Sequence, residues 1–108
     1  MKSLTTFEET LLIAVYLIGE NAYSVIIHQK ILQMTGNDIV LGSLYNGLDQ
    51  LSKKRYLKKK KSEPVSEKGG KSKMYYSVST EGINALEETR RLRNSLWNEM
   101  PDVFYKES

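Results

Sequence analysis

One stretch of the chain decides its fold: Gly42-Ser43-Leu44-Tyr45-Asn46-Gly47-Leu48-Asp49-Gln50-Leu51-Ser52-Lys53-Lys54-Arg55-Tyr56-Leu57. It predicts a helix over about 43–54 that runs directly into a basic strand. Its leucines recur at helical spacing and define one apolar face. The opposite face holds one acid, Asp49, among groups that form hydrogen bonds: Ser43, Tyr45, Asn46, Gln50 and Lys53. Such a helix suits the DNA major groove, although an ordinary amphipathic surface helix shows the same pattern.

A concentrated positive charge follows this helix. Residues 53–73 contain ten lysines and arginines against two glutamates, which gives this segment a net charge of +8. The whole chain carries +3, so the remaining residues together carry −5. A local positive patch on a mildly acidic body is typical of surfaces that bind phosphate. A solvated lysine-rich loop is the alternative, and it is less favoured directly after a candidate recognition helix.

Length and composition limit the classes of protein to which this chain can belong. A chain of 108 residues that is 40% hydrophobic fits one small domain. The sequence has no cysteine, which excludes disulfides and thiolate chemistry and fits the reducing cytoplasm. The apolar run from Leu11 to Ile18 is too short for a membrane span of roughly 20 residues, and the N-terminus shows no secretory signal.

Nothing in the sequence predicts an enzyme. Its one histidine, His28, is expected on the exposed side of a helix. The sequence contains no Ser/His/Asp pattern, no metal-ligand spacing and no phosphate-binding loop. We therefore expect no catalytic residues, no metal and no cofactor.

The predicted order of elements begins with three helices. A Thr-x-x-Glu capping box opens the first near Thr6, and Gly19 ends it. The second starts near Tyr23 or Ser24 and stops at Gly36. Its expected buried side consists of Val25, Ile26, Ile27, Ile31 and Leu32. Before the third helix, Ile39-Val40 suggests a two-residue strand.

A hairpin and a long helix complete the order. One strand begins at Tyr56-Leu57-Lys58 and the other covers 74–78, joined by a tip containing Pro64, Gly69 and Gly70. Ser79 is the expected N-cap of the last helix, which Pro101 ends. The fold class is mainly α with a small antiparallel hairpin, a winged helix-turn-helix over 1–79. Residues 80–101 then form a C-terminal dimerisation helix, and 102–108 form a tail.

Apolar surface on the first and last helices predicts a homodimer. The first helix is apolar on more sides than one small domain covers. The last has an apolar stripe that extends past the winged-helix body and would be a liability if exposed. The predicted contacts are Leu11, Leu86, Leu92, Leu96, Trp97 and Met100. The charged edge should be solvated: Glu87, Glu88, Arg90, Arg91 and Arg93.

Several ordered segments resemble a known family: Glu20-Asn21-Ala22-Tyr23-Ser24-Val25-Ile26-Ile27, Thr35-Gly36, Leu41-Gly42-Ser43-Leu44-Tyr45, Leu48-Asp49-Gln50-Leu51, and Lys68-Gly69-Gly70-Lys71-Ser72-Lys73-Met74-Tyr75-Tyr76-Ser77-Val78-Ser79-Thr80-Glu81-Gly82. At these spacings the chain resembles the PadR family of bacterial transcription regulators over nearly its whole length. The ending Arg90-Arg91-Leu92-Arg93-Asn94-Ser95-Leu96-Trp97 is similar to the short members that have a single C-terminal helix.

The resemblance implies a sequence-specific, dimeric regulator of transcription that binds double-stranded DNA. Repression, released by a small-molecule or stress signal, is the habit of the family. The residues expected to contact DNA are Tyr23, Ser24, Ser43, Tyr45, Asn46, Gln50, Lys53, Lys71 and Lys73. Three positions depart from the usual pattern: Ser24 replaces Gly, Asn46 replaces Pro, and Lys71 replaces Arg. These changes alter the expected base preference rather than DNA binding itself.

Alternative interpretations stay open from the sequence. The basic wing is also compatible with a winged-helix module that binds an acidic protein or RNA, or with a non-specific nucleic-acid binder. For Tyr45 the alternative to a phosphate contact is packing against the first helix. For Trp97 the favoured interpretation is dimer packing, and the alternative is stacking on a small aromatic effector.

Overall fold

Four helices and one hairpin form the part of the chain that the structure, a computed structural model, describes: residues 4–62 and 73–101. In order, these elements are α1 (Thr6–Ile18), a 3-10 turn (Gly19–Asn21), α2 (Ser24–Thr35), α3 (Leu41–Lys53), β1 (Leu57–Lys61), β2 (Met74–Val78) and α4 (Thr80–Glu99). The two strands pair antiparallel, with Leu57 opposite Val78 and Lys61 opposite Met74. The predicted fold class is confirmed.

Local sequence signals fix the ends of the helices. Thr5 Oγ1 accepts from the Glu8 backbone N–H at 3.1 Å, and Glu8 Oε1 accepts from the Thr5 N–H at 2.9 Å, so the capping box is present. Gly36 ends α2 in the left-handed conformation, as predicted. Gly19 ends α1 with φ 83° and ψ −131°, outside the left-handed helical region. Ser79 caps α4 by accepting from the Gly82 N–H at 3.0 Å.

Two local predictions need correction. Ile39-Val40 is not a strand: it lies in the turn before α3, where Ile39 packs on the core and Val40 is exposed. On α2, Val25 and Leu32 are 52% and 41% exposed. The helix packs against α1 and α3 through a narrower face than its apolar residues span, so Ile27 is buried in the core and Val25 is not.

The core lies where α1, α2, α3 and the start of β1 meet. Leu11 is fully buried inside the protomer, so its side chain is not available for the partner contact that we expected of it. Gly47 permits this packing, because a Cβ at that position would collide with the side chains of Leu11 and Phe7. The other large side chains that are fully buried are Leu12, Val15, Ile27, Ile31, Leu44, Leu48 and Leu51.

Two contacts tie α4 to α1 and to the residues just before α1. The Leu4 backbone N–H donates to Thr89 Oγ1 at 3.3 Å, and Arg93 Nη2 lies 2.6 Å from Glu9 Oε1. The Glu9 side chain is only 13% exposed, whereas the Arg93 side chain is 46% exposed. Arg93 therefore lies on the solvated edge, as predicted, and also forms an ion pair with α1. After this pair, α4 extends beyond the body.

Glu8 gives the fold a measurable pH dependence. Burial alone raises the pKa of Glu8, but hydrogen bonds from Lys54 and Thr5 and the Lys54 charge together outweigh it, and the net pKa is lowered. Stability from this group is therefore present above the ordinary glutamate pKa of 4.5 and is lost as pH falls through the lowered pKa of the folded state.

We expect Glu8→Gln to lower the free energy of unfolding by about 0.5 kcal/mol at neutral pH, because glutamine still caps the helix but loses the ion pair. Urea unfolding at several pH values measures this difference, which should vanish in acid. Glu87→Gln is the matched control on an exposed helix surface, with a smaller effect. A difference that stays constant from pH 7 to pH 3 would contradict the assignment.

Candidate nucleic-acid interface

Helix α3 presents one polar face to solvent. Its buried face consists of Leu44, Gly47, Leu48 and Leu51. The predicted contact residues all lie on the exposed side: Ser43, Tyr45, Asn46, Gln50 and Lys53. The sequence predicted that α3 has one buried apolar face and one exposed polar face, and the structure has both.

The acid on this face is held by lysines. Asp49 lies 3.2 Å from Lys53 Nζ, one turn along the helix, and 4.0 Å from Lys59 Nζ on β1. The carboxylate therefore sits between two cations and does not make the face acidic. The pair with Lys59 also connects α3 to the hairpin, and we call this hairpin the wing.

Tyr45 connects α3 to the beginning of α2. Its hydroxyl donates to Ser24 Oγ at 3.1 Å, and its side chain is 52% exposed. Tyr45 thus lies against the start of α2. Ser24 is the first residue of α2, so this bond places both hydroxyl groups beside that helix N-terminus.

An aromatic cluster fixes the wing to the same place. The Lys73 ammonium lies 4.2 Å from the centre of the Tyr23 ring, and the Tyr23 and Tyr75 rings meet edge to face at 5.7 Å. The Tyr76 backbone N–H donates to the Ala22 carbonyl at 2.8 Å. Lys73 is thereby held next to Tyr23 and Ser24. Lys71, the other predicted wing contact, lies outside the described residues.

Tyr76 joins the wing to α3. Burial, followed by the nearby Asp49 carboxylate and Tyr45, raises the pKa of its phenol. The group therefore stays a neutral hydroxyl at physiological pH. In the hairpin Tyr76 stands opposite Lys59, so it helps to fix the strand that brings this lysine to Asp49. The sequence predicted a strand here but not this role.

His28 secures the turn in front of α3. Its Nε2 lies 2.8 Å from the Ile39 carbonyl oxygen and 3.1 Å from Asp38 Oδ1. Because a carbonyl only accepts, this nitrogen carries the proton that is donated. The His28 side chain is 21% exposed, so the expectation of an exposed histidine is corrected. No sequence pattern signals this contact, which joins residues 11 positions apart across a loop.

The predicted dimer residues fall into two groups. Leu11 is inside the core and Leu86 is partly buried against it. Four others are exposed at the end of α4: Leu92 (47%), Leu96 (62%), Trp97 (55%) and Met100 (47%). Tyr16 and Leu17 of α1, which the sequence analysis did not single out, are 62% and 57% exposed. Both helices therefore have apolar surface in solvent.

The chain is similar to several solved structures of transcription regulators and of a winged-helix DNA-binding protein. A Streptococcus transcriptional regulator matches with a TM-score of 0.68 and 20% identity, covering 86% of this chain and 86% of that one. A PadR family transcription regulator from Clostridium difficile matches with a TM-score of 0.63 and 21% identity, covering 86% and 96%. The chain has the PadR-like winged-helix fold. F93 from STIV, a winged-helix DNA-binding protein, matches with a TM-score of 0.64 and 19% identity, covering 88% and 95%.

At these identities the PadR-like match establishes the fold. No protein-family model matches the sequence, and no curated protein matches it. Among the described helices, none is both long enough and apolar enough to cross a membrane.

The contact between His28 and Ile39 predicts a stability effect. We expect His28→Ala to lower the free energy of unfolding by about 1 kcal/mol, because the Ile39 carbonyl loses its donor. Amide hydrogen exchange over residues 36–41 should become faster. Gln29→Ala, at the exposed neighbouring position of α2, is the control and should change neither. If the two variants behave alike, His28 does not secure the turn.

Proposed function

We propose that this PadR-like protein is a dimeric, sequence-specific regulator of transcription that binds double-stranded DNA. The observation that supports this most is a continuous set of contacts joining the three elements that a winged helix applies to DNA. Tyr45 of α3 bonds Ser24 of α2, the neighbouring Tyr23 holds Lys73 of the wing, and Lys59 of the wing reaches Asp49 of α3. Solved structures of this fold include a winged-helix DNA-binding protein.

Each element of this surface has a separate task in the proposal. Lys53 and Lys73 bind phosphates and set the position of the protein. Tyr23 and Ser24 contact the backbone at the N-terminus of α2. Asn46 and Gln50 read base edges, and both side chains suit adenine, since each can pair with N6 and N7 together.

A second copy of the chain completes the proposed regulator. The exposed apolar residues of α4 and α1 form a surface that a partner would cover. Two-fold symmetry would place two α3 helices about one DNA turn apart, roughly 34 Å, and would favour a near-palindromic site. Repression is the proposed mode, released by a small-molecule or stress signal. Stacking of an aromatic effector on Trp97 stays a prediction, which a tryptophan fluorescence titration tests.

Binding to selected duplexes tests the main proposal. Duplexes are first recovered from a random pool with the full chain, and fluorescence anisotropy then measures their affinity at two salt concentrations against a scrambled competitor. Specific binding that saturates at two chains per site supports a dimeric regulator. If a scrambled duplex displaces the protein as effectively as the selected duplex does, the protein is a non-specific binder. No binding at low salt would exclude DNA as the partner and leave the protein-interaction module.

Two substitutions should separate phosphate contacts from base contacts. Lys73→Ala should weaken all duplexes alike and lower the salt slope by about 2 for the dimer, because each of the two chains loses one phosphate contact. Gln50→Ala should leave the slope unchanged and reduce discrimination between sequences by about 1–3 kcal/mol. Anisotropy titrations measure both effects. Lys30→Ala, on a side of α2 beside Ile18 and Gln33, is the control. If Lys73→Ala leaves both the affinity and the salt slope unchanged, the wing is not part of the DNA interface.

The dimer has its own test. Leu96→Glu places a charge in the exposed apolar end of α4 and should convert dimers to monomers, which sedimentation velocity measures. DNA affinity should fall with it, since each monomer reads only one half-site. Asn84→Glu adds the same charge on the exposed side of α4 near its start and should remain dimeric. A Leu96→Glu protein that stays dimeric would place the interface elsewhere.

A further inference from the structure

The first turn of α3 contains two residues that helix stability does not favour. Val40 occupies the N-cap position and provides no side-chain hydrogen bond to the helix, where serine, threonine, aspartate or asparagine would. Gly42 is the second residue of the helix, and glycine is a poor helix former. Neither choice helps the folding of this turn.

The rest of the fold does not require these residues either. Val40 is 72% exposed and Leu41 is 52% exposed, so neither contributes a buried side chain. The φ of Gly42 is not positive, and a Cβ added there would meet nothing within 4 Å. By contrast, a Cβ at Gly47 of the same helix would collide with the core. Gly42 therefore leaves open space on the outside of the helix, where something can approach the backbone closely.

The surroundings indicate what approaches. Val40 lines a hollow of about 490 Å³ together with Ser43 and Asn46, two of the proposed DNA contacts, and with Phe7, Asp38 and Ile39. The Asp38 carboxylate in this hollow would repel a phosphate, so a base edge suits the hollow better than the DNA backbone does. In the major groove, the apolar group on a base edge is the 5-methyl group of thymine.

We propose that the first turn of α3 reads thymine, with Val40 in contact with the 5-methyl group and Gly42 at the point of closest backbone approach. The inference rests on the proposed DNA binding and adds a base identity to it. N-terminal residues of a recognition helix are the ones that reach base edges. Val40 lies immediately before Leu41, and Ser43 and Asn46 share its hollow, so one half-site should contain thymine next to the base that Asn46 contacts.

Replacing thymine by deoxyuridine tests the methyl contact, because it removes only that group. The duplex recovered from the random pool is synthesised with one thymine replaced at a time. For the native protein, one position in each half-site should lose about fourfold in affinity, the value of one buried methyl group. For Val40→Ser this loss should disappear, whereas the melting temperature should rise by on the order of 5 °C because serine caps α3.

Gly42→Ala tests the close approach. Alanine favours the helix and meets no neighbour within the protein, so the melting temperature should rise. The affinity for the selected duplex should fall by about fivefold or more, because the added methyl group crowds the DNA. Opposite signs of the two effects separate a lost contact from a damaged fold. Leu32→Ala, which removes an exposed side chain from α2, is the control and should keep the native deoxyuridine response.

The outcomes are distinguishable. Specific binding with no deoxyuridine effect, or an effect that persists in Val40→Ser, overturns thymine reading and leaves the proposed regulator intact. An unchanged affinity for Gly42→Ala overturns the close approach. Recovery of no specific duplex overturns the regulator and the thymine reading together.

Discussion

The close packing of α1 on α3 at Gly47 is the constraint on which the rest of the structure depends. Leu11 and Phe7 occupy the space that any side chain at position 47 would need. This contact buries Leu44, Leu48 and Leu51, and it thereby turns the polar side of α3 outward. Because α3 has only one apolar face to bury, this packing leaves its polar face in solvent. That polar face is part of the interface that we propose for DNA.

Charges and aromatic rings then join separate segments into one surface. Asp49 is placed between lysines of α3 and the wing, and Tyr23 holds Lys73 beside the start of α2. Each contact is weak because most of these groups are exposed. These contacts matter because they hold the lysine side chains near the places where we expect phosphates. The side chains therefore lose less conformational entropy when DNA binds.

Contacts at the start and in the middle of α4 set its direction. At the start, the Ser79 backbone N–H donates to the Tyr56 carbonyl at 3.0 Å. In the middle of the helix, the bond from Leu4 to Thr89 and the pair of Arg93 with Glu9 hold α4 against the body. Beyond Arg93 the helix extends into solvent with Leu96 and Trp97 exposed, and α1 offers Tyr16 and Leu17. The uncovered apolar surface therefore lies on α1 and on the end of α4 that these contacts do not reach.

The sequence by itself determined the order of the four helices and the hairpin, the capping of α1 by Thr5 and Glu8, the glycine end of α2 and the two faces of α3. These features depend on neighbours within a few positions, so spacing and residue type suffice to predict them. Only the tertiary structure decided that Leu11 is core, that Val25 is exposed and that His28 holds the turn at Ile39. Those outcomes depend on which helix covers which face and on contacts across loops. The spacing of apolar residues shows that a helix has an apolar face, but it does not show which neighbouring element covers that face.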